Sequence, residues 1–443
     1  MIKRLIKTFL PKSALLWYHK LFSRLATWWY GYPADKLIVI GVTGTNGKST
    51  VCNMITHVLE EAGYKVGMTT TVNFRIAGRE WLNKSKMTML GRSQLQRLLA
   101  QMLAEDCEIA VIETSSEGLA QFRHIGIAYD VAVFTNLTPE HIESHGGFEN
   151  YQRAKGLLFD ALHSAKQKSL HGKPFPKTIV VNDSDKHAEY FSAFSAEKKI
   201  GYRLESNKNH TNLSTEITAK ITNTSATSSQ FNVAGTECQI ALPGAFNVEN
   251  ALAAIAVSSI FNVSITTART GLAKISGVPG RMERINEGQP FTVIVDYAPE
   301  PTSFAKLYEV VSTLEKNRII HVFGSTGGGR DRDRRPILGN IAGKQADIVI
   351  ITNEDPYDDD PMHIIHEVAE GSRSAGKRDN ENLFVILDRS EAIQKAINLA
   401  EPNDIVLITG KGAEQAMMME NGRKIPWDDR EKVREALKQR TLK

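Results

Sequence analysis

LIVIGVTGTNGKST, residues 37–50, runs from an apolar segment into a glycine-rich loop. Its first four residues have the composition of a buried strand. Val51, Met54, Ile55, Val58 and Leu59 then follow the i, i+3, i+4, i+7, i+8 spacing of an amphipathic helix. A strand, a glycine turn and a helix N-terminus together present backbone N–H groups to an anion. In such a loop, formed here by Gly44, Thr45, Asn46 and Gly47, Lys48 reaches the terminal phosphates of a nucleotide. Ser49 or Thr50 offers a hydroxyl to Mg²⁺. The spacing departs from the usual G-x4-G-K-[ST]. The expected first glycine falls on Val42, and Gly41 comes one residue too early. A tight strand-to-helix turn with a chance lysine is the alternative reading of the loop alone.

The rest of the chain alternates strand and helix. Buried-strand patterns recur in EIAVIE, DVAVFTNL and KTIVVND, and later in FTVIVDYA, RIIHVFG, ADIVIITN, NLFVILD and DIVLITG. The expected fold is α/β: a P-loop central domain with a parallel sheet, then a C-terminal Rossmann-like α/β domain. Expected divisions are a short basic, aromatic helical segment (1–36), a central ATP-binding domain (37–279) and a C-terminal domain (280–443). The turn-rich GVPGRMERI (277–285) marks the second boundary. Residues 203–235, rich in Ser, Thr and Asn, suggest antiparallel strands at the rim of the central domain, or in part a solvated loop.

With 42% hydrophobic and 23% charged residues, the composition is that of an ordinary soluble globular chain. The net charge of +4 is too small to argue for nucleic acid. Residues 1–36 carry seven Lys/Arg and one Asp, so this segment is +6 and the remainder −2. The three cysteines are far apart and lack metal-ligand spacing, which fits a reducing cytoplasm. No stretch reaches the ~18 apolar residues of a spanning helix. The basic, aromatic helix expected at 13–30 could touch the inner membrane surface through residues 1–31, or pack on the chain's own ATP domain.

Gly44-Thr45-Asn46-Gly47-Lys48-Ser49 resembles the ATP loop of the Mur ligases and of their relative folylpolyglutamate synthase. Further blocks follow in that family's order: VIETSSEGLAQFRHIGIAYDVAVFTNLTPEHIESHGGFENYQRAKGLLF (111–159), LPGAFNVENALAAIA (242–256), VPGRMERI, VDYAPEPTS, GGGRDRDRRP, TNEDPYDDDP, GKGAEQ and WDDREKVREAL. Together they are similar to the MurE-type members. The resemblance implies a monomeric, cytoplasmic ATP-dependent acid–amino-acid ligase of peptidoglycan synthesis. It would add an amino acid to the D-Glu carboxylate of a muropeptide precursor, UDP-MurNAc-L-Ala-D-Glu, through an acyl phosphate. Phosphoryl transfer demands mainly positioning and charge neutralisation.

Carried over residue by residue, the resemblance gives Glu113 and His141 as Mg²⁺ ligands, with Lys155 as a lysine that is carbamylated and then binds a second Mg²⁺. Asn247 and Asn250 would face the adenine. Arg281 at the hinge, Asp296, Arg330, Asp331 and Arg335 would meet ATP from the third domain. Thr88, Ser116, Gln121 and Arg123 would hold the acceptor peptide. Glu354, Asp355, Asp358, Gly410 and Glu414 would hold the amino acid.

Three departures from the pattern stand out. Only 36 residues precede the ATP segment, where MurE-type relatives usually carry a domain of about a hundred; a lipid-linked acceptor is therefore a second reading. Glu354-Asp355-Pro356-Tyr357 replaces the D-N-P-R that selects diaminopimelate; its acidic surroundings favour a side-chain ammonium such as that of lysine or ornithine, and a simple acidic turn is equally compatible with these residues. Pro299 and Ala413 stand where histidines are usual, which leaves room for a non-catalytic nucleotide-binding scaffold; a folylpolyglutamate synthase-like ligase is a separate alternative, against which the TSSEGLAQFR, EDPYDDDP and DDREKVREAL blocks favour a MurE-like enzyme.

Overall fold

A computed structural model describes residues 12–139, 145–225, 227–329 and 332–441. The predicted N-terminal helix spans Lys12–Trp29. Two large sheets follow. The first holds β1 (Ile38–Thr43), β2 (Val66–Thr69), β3 (Asn73–Ile76), β4 (Arg79–Leu82), β5 (Ile109–Glu113) and β6 (Val131–Phe134). Beyond a small separate hairpin of β7 (Lys168–Leu170) and β8 (Lys173–Phe175), it continues with β9 (Thr178–Asn182), β10 (Lys198–Leu204), β11 (Glu216–Thr224), β12 (Ser229–Val233) and β13 (Thr236–Ile240). The spatial order is β13-β12-β11-β10-β9-β6-β1-β5-β2-β3-β4.

All neighbours from β2 to β11 in that order pair in parallel, and each end is extended by antiparallel strands. The parallel strands are covered on both faces, which is why they read as continuous apolar runs. One face packs the Lys48–Glu61 and Ala245–Ile260 helices, and the other the Arg92–Ala104 and Phe148–Ser164 helices. The Ser/Thr/Asn-rich stretch is resolved as expected only in part. Strands β11–β13 form an antiparallel meander, β10 and β11 pair in parallel, and a loop connects these two. The β12–β13 turn uses Ala234 and Gly235, both at positive φ (47° and 83°), as a two-residue hairpin of this twist requires.

The second sheet holds β14 (Glu283–Ile285), β15 (Thr292–Asp296), β16 (Ile319–Phe323), β17 (Ile348–Thr352), β18 (Leu383–Ile386) and β19 (Ile405–Thr409), in the order β14-β15-β19-β16-β17-β18. Only β14 is antiparallel. Apolar cores lie on both faces. The carboxyl ends of its strands carry Asp296, Gly324, Glu354 and Gly410. Those of the first sheet carry Gly44, Glu113, Thr135 and Asn182. Ligands bind beyond the carboxyl ends of parallel strands, and here two such edges line one cavity.

Candidate active site

Gly41 is not part of the phosphate loop. It lies inside β1, where a Cβ would sit 2.7 Å from both Leu158 and Tyr129, so its role is close packing under the sheet. The loop glycines are Gly44 and Gly47. Gly47 caps the following helix at φ +83°, and a Cβ there would overlap Asn250 Oδ1. The loop is tied down by the adjacent strand end. Asn46 N–H donates to Asn136 Oδ1 at 2.9 Å, Thr135 Oγ1 donates to the Asn46 carbonyl at 2.7 Å, and Thr45 N–H donates to the Asn136 carbonyl at 2.8 Å.

Glu113 is buried at the end of β5 and accepts the Ser49 hydroxyl and the Thr71 N–H, each at 2.7 Å. The Thr71 hydroxyl lies 2.9 Å from both Glu113 Oε1 and Thr88 Oγ1. A polar chain thus runs from the phosphate loop to the predicted acceptor side. Lys48 Nζ donates to the Thr45 carbonyl at 2.7 Å. Lys155, 2% exposed, donates to the Gly44 carbonyl at 2.7 Å and lies over the Tyr151 ring. Asn247 and Asn250 project from one helical face and are joined at 3.2 Å.

These residues line a cavity of about 330 Å³ whose opposite wall belongs to the second sheet. That wall includes Arg281, Asp296, Glu354, Asp355, Gly410 and Glu414, while Thr88, Ser116 and Arg123 stand on the first side. Arg281 lies over the Tyr297 ring at 4.4 Å. Asp296 accepts N–H groups from Met282 at 2.6 Å and Ala298 at 2.8 Å, and burial raises its pKa. Ser303 Oγ reaches across to Asn46 Oδ1 at 3.1 Å.

Several expected residues stand elsewhere. Gln121 does not line the cavity; it accepts from Arg123 at 2.7 Å and so orients that guanidinium. Asp358 also lies off the wall, where it accepts the Asn421 N–H at 2.7 Å. Arg335 is turned into its own unit, paired with Glu367 at 2.5 Å. Arg334 lines the cavity instead, donating to Glu300 and Thr326. His141, Arg330 and Asp331 lie outside the described residues.

Asp355 is not the free negative charge its sequence context suggests. Lys86 approaches it at 2.5 Å and Lys411 at 3.0 Å, and both lysines also reach Glu414, at 3.2 and 2.5 Å. Burial opposes ionisation of Asp355, but Lys411 and Lys86 outweigh it and hold its pKa below the usual value. Two cations and two carboxylates balance. Lys86 is the contribution of the first sheet's unit to this cluster, and nothing in its sequence neighbourhood signals the role. Glu354 lies behind this cluster, where burial outweighs the pull of Arg389, Lys411 and Arg334. It is 3% exposed and accepts no hydrogen bond among the described residues; burial lifts its pKa to about 7.

Residues 42–258 match the Mur ligase middle domain, and residues 280–412 match the Mur ligase glutamate ligase domain. The chain belongs to the Mur ligase family. It is 38% identical over 423 residues to the UDP-N-acetylmuramyl-tripeptide synthetase of Roseiflexus sp. (strain RS-1), covering 93% of this chain and 81% of that protein. It is 36% identical to the UDP-N-acetylmuramoyl-L-alanyl-D-glutamate–2,6-diaminopimelate ligase of Geobacillus kaustophilus (strain HTA426), covering 94% and 82%. A solved structure of a ligase of that diaminopimelate-adding type superimposes with a TM-score of 0.60 at 29% identity, covering 95% and 83%. Mycobacterium tuberculosis folylpolyglutamate synthase shares the fold, with a TM-score of 0.65 at 16% identity and coverage of 88% and 92%.

This Mur ligase is therefore an ATP-dependent, peptide-forming enzyme of peptidoglycan synthesis. The residues present suit the nucleotide and magnesium that the family uses. Side chains at Gly44 and Gly47 would collide with Thr135 and Asn250, so both positions need glycine, and residues 44–50 all line the cavity, as a phosphate loop must. Among the described residues no three His, Cys, Asp or Glu side chains converge to cage a metal. Glu113 and Ser49 nonetheless suit Mg²⁺, which keeps most of its waters and takes few protein ligands.

Proposed function

We propose that this Mur ligase joins an amino acid to the D-glutamate carboxylate of UDP-N-acetylmuramoyl-L-alanyl-D-glutamate, and that the amino acid is a diamino acid such as lysine. Residues 37–279 would hold nucleotide and acceptor, and residues 280–443 would bring the amino acid. The observation that carries the reading is the shared cavity, with Lys48, Glu113 and Lys155 on one wall and Glu354 and Glu414 on the other.

ATP supplies the phosphoryl group that turns the carboxylate into an acyl phosphate, with ADP leaving. The amine nitrogen then attacks the acyl carbon, inorganic phosphate departs, and the nitrogen gives up its proton. Lys48 and the N–H groups of residues 44–50 would hold the phosphates and offset their charge. Glu113, Ser49 or Thr50 and His141 would hold Mg²⁺. Lys155, once carbamylated, would become an anion able to hold a second ion beside the loop. Asn247 and Asn250 would take the adenine edge, with Arg281, Asp296 and Arg330 meeting the nucleotide from the other unit. Thr88, Ser116 and Arg123 would position the acceptor, an arginine fork being suited to a carboxylate.

Amino-acid choice would rest on Glu354. Its carboxylate lines the cavity and accepts no hydrogen bond from the described residues, which suits an incoming ammonium group, and Tyr357, also in the wall, cannot make the charged fork that a far carboxylate needs. A competition assay with equal lysine, ornithine and diaminopimelate tests this. Faster incorporation of lysine or ornithine supports the reading, and faster incorporation of diaminopimelate contradicts it. Glu113→Ala should abolish turnover while the chain still binds nucleotide.

A further inference from the structure

The Lys12–Trp29 helix is turned the opposite way from an ordinary surface helix, which buries its apolar stripe. Among the described side chains, the two that it buries are small and polar. Ser23, 1% exposed, donates to the Phe122 carbonyl at 2.9 Å, and Thr27, 3% exposed, packs on Gly126. Trp17, Tyr18, Phe22, Leu25, Trp28 and Trp29 point outward, the three tryptophans being 66, 63 and 76% exposed. At ~100° per residue these six cover an arc of roughly 140°. Seven of the nine large exposed hydrophobic residues among those described fall between Trp17 and Tyr32. A patch of this kind marks an interaction surface.

We infer that this face is a docking surface for a lipid bilayer bearing anionic headgroups. Charge complementarity selects that partner. Exposed Arg24 borders the aromatic arc, Lys20 lies beside it with its ammonium 4.6 Å over the Phe122 ring, and the +6 charge of residues 1–36 contrasts with −2 for the remainder. Tryptophan and tyrosine combine an apolar ring with a polar edge and settle at headgroup depth. A second copy of the chain is disfavoured as occupant, because two +6 segments would repel. No described helix is long and apolar enough to cross a membrane, so the contact is interfacial. The helix rests on the loop that carries Arg123, a cavity-lining residue, so docking would bring the acceptor end of the cavity close to the bilayer. The inference does not depend on which amino acid is added.

The test is flotation of the full chain with phosphatidylethanolamine vesicles containing phosphatidylglycerol, against vesicles of phosphatidylcholine alone, with tryptophan emission recorded in both. Partitioning should be at least tenfold higher on the anionic vesicles, blue-shift the emission and weaken with salt. The triple variant Trp17→Ser, Trp28→Ser, Trp29→Ser should lose at least tenfold in partitioning. Lys20→Glu with Arg24→Glu, which leaves the aromatic face intact, should lose the preference for anionic lipid. Phosphate release in solution should be unchanged in both. Absence of binding by the unaltered chain, or equal binding by the triple variant, would overturn the inference. A concentration-dependent dimer that the triple substitution abolishes, with no vesicle binding, would assign the face to a second copy and overturn it equally.

Discussion

Gly47→Ala, compared with Gly63→Ala, isolates what the phosphate loop demands of its backbone. The two glycines stand at opposite ends of the Lys48–Glu61 helix, at similar φ of +83° and +93°. An alanine in that region costs about 1–2 kcal/mol at either site. At Gly63 a Cβ meets nothing within 4 Å. At Gly47 it overlaps Asn250 Oδ1. Asn250 is buried and donates to Asn247, which in turn donates to the Pro243 carbonyl at 2.8 Å. Relief requires Asn250 to rotate, break that bond and leave buried polar atoms unpaired, at about 1–3 kcal/mol more. The expected losses are therefore about 3 kcal/mol for Gly47→Ala and about 1 kcal/mol for Gly63→Ala. At ~3 °C per kcal/mol for a domain of this size, the melting temperature should fall by roughly 9 and 3 °C. Nucleotide affinity, measured by calorimetry, should fall at least tenfold for Gly47→Ala and stay unchanged for Gly63→Ala. Equal melting shifts with equal affinities would mean that Asn250 does not restrict the backbone at Gly47.

Arg389 and Asp429 form a fully buried pair behind the second wall, with bonds of 2.8 and 2.7 Å. Arg389→Met should destabilise by about 3–5 kcal/mol in denaturant unfolding, whereas adding Asp429→Leu should recover most of the loss; a double variant as weak as the single one would contradict this. Burial lifts the Glu354 carboxyl from 4.5 to about 7, so between those values the folded state keeps a proton that the unfolded state has lost. Its contribution is complete below pH 4.5 and disappears as pH rises through 7. Stability of the unaltered chain relative to Glu354→Gln should drop by on the order of 3 kcal/mol across that window, and parallel pH curves would disprove the assignment. Carbamylated Lys155 should give a carbamate carbon signal after equilibration with ¹³C-bicarbonate, absent in Lys155→Ala; an unchanged spectrum between the two would remove the modification.

The sequence made the strand-loop-helix unit legible because glycine positions and a 3.6-residue period are local signals. The parallel strands were equally plain, since burial on both faces leaves unbroken apolar runs. Side-chain pairing across the cavity was not legible. Asp355 is neutralised by Lys86, 269 positions away, and no local pattern carries that information. Asp358 has the same acidic context but is diverted to the Asn421 N–H by its turn. Gly41 looked like a misplaced loop glycine because only Leu158 and Tyr129, brought over by other elements, reveal its packing role. The N-terminal helix was recognisable from its composition. Which face it buries depended on Ser23 and Thr27 meeting the loop at Phe122 and Gly126.

The most direct test of the account is phosphate release from Mg-ATP in the presence of UDP-N-acetylmuramoyl-L-alanyl-D-glutamate, with and without lysine, and mass spectrometry of the product. The expected result is release that depends on the amino acid and a product heavier by one lysine residue, both lost in Glu113→Ala. Nucleotide binding without amino-acid-dependent release, for lysine and every other amino acid tried, would contradict it.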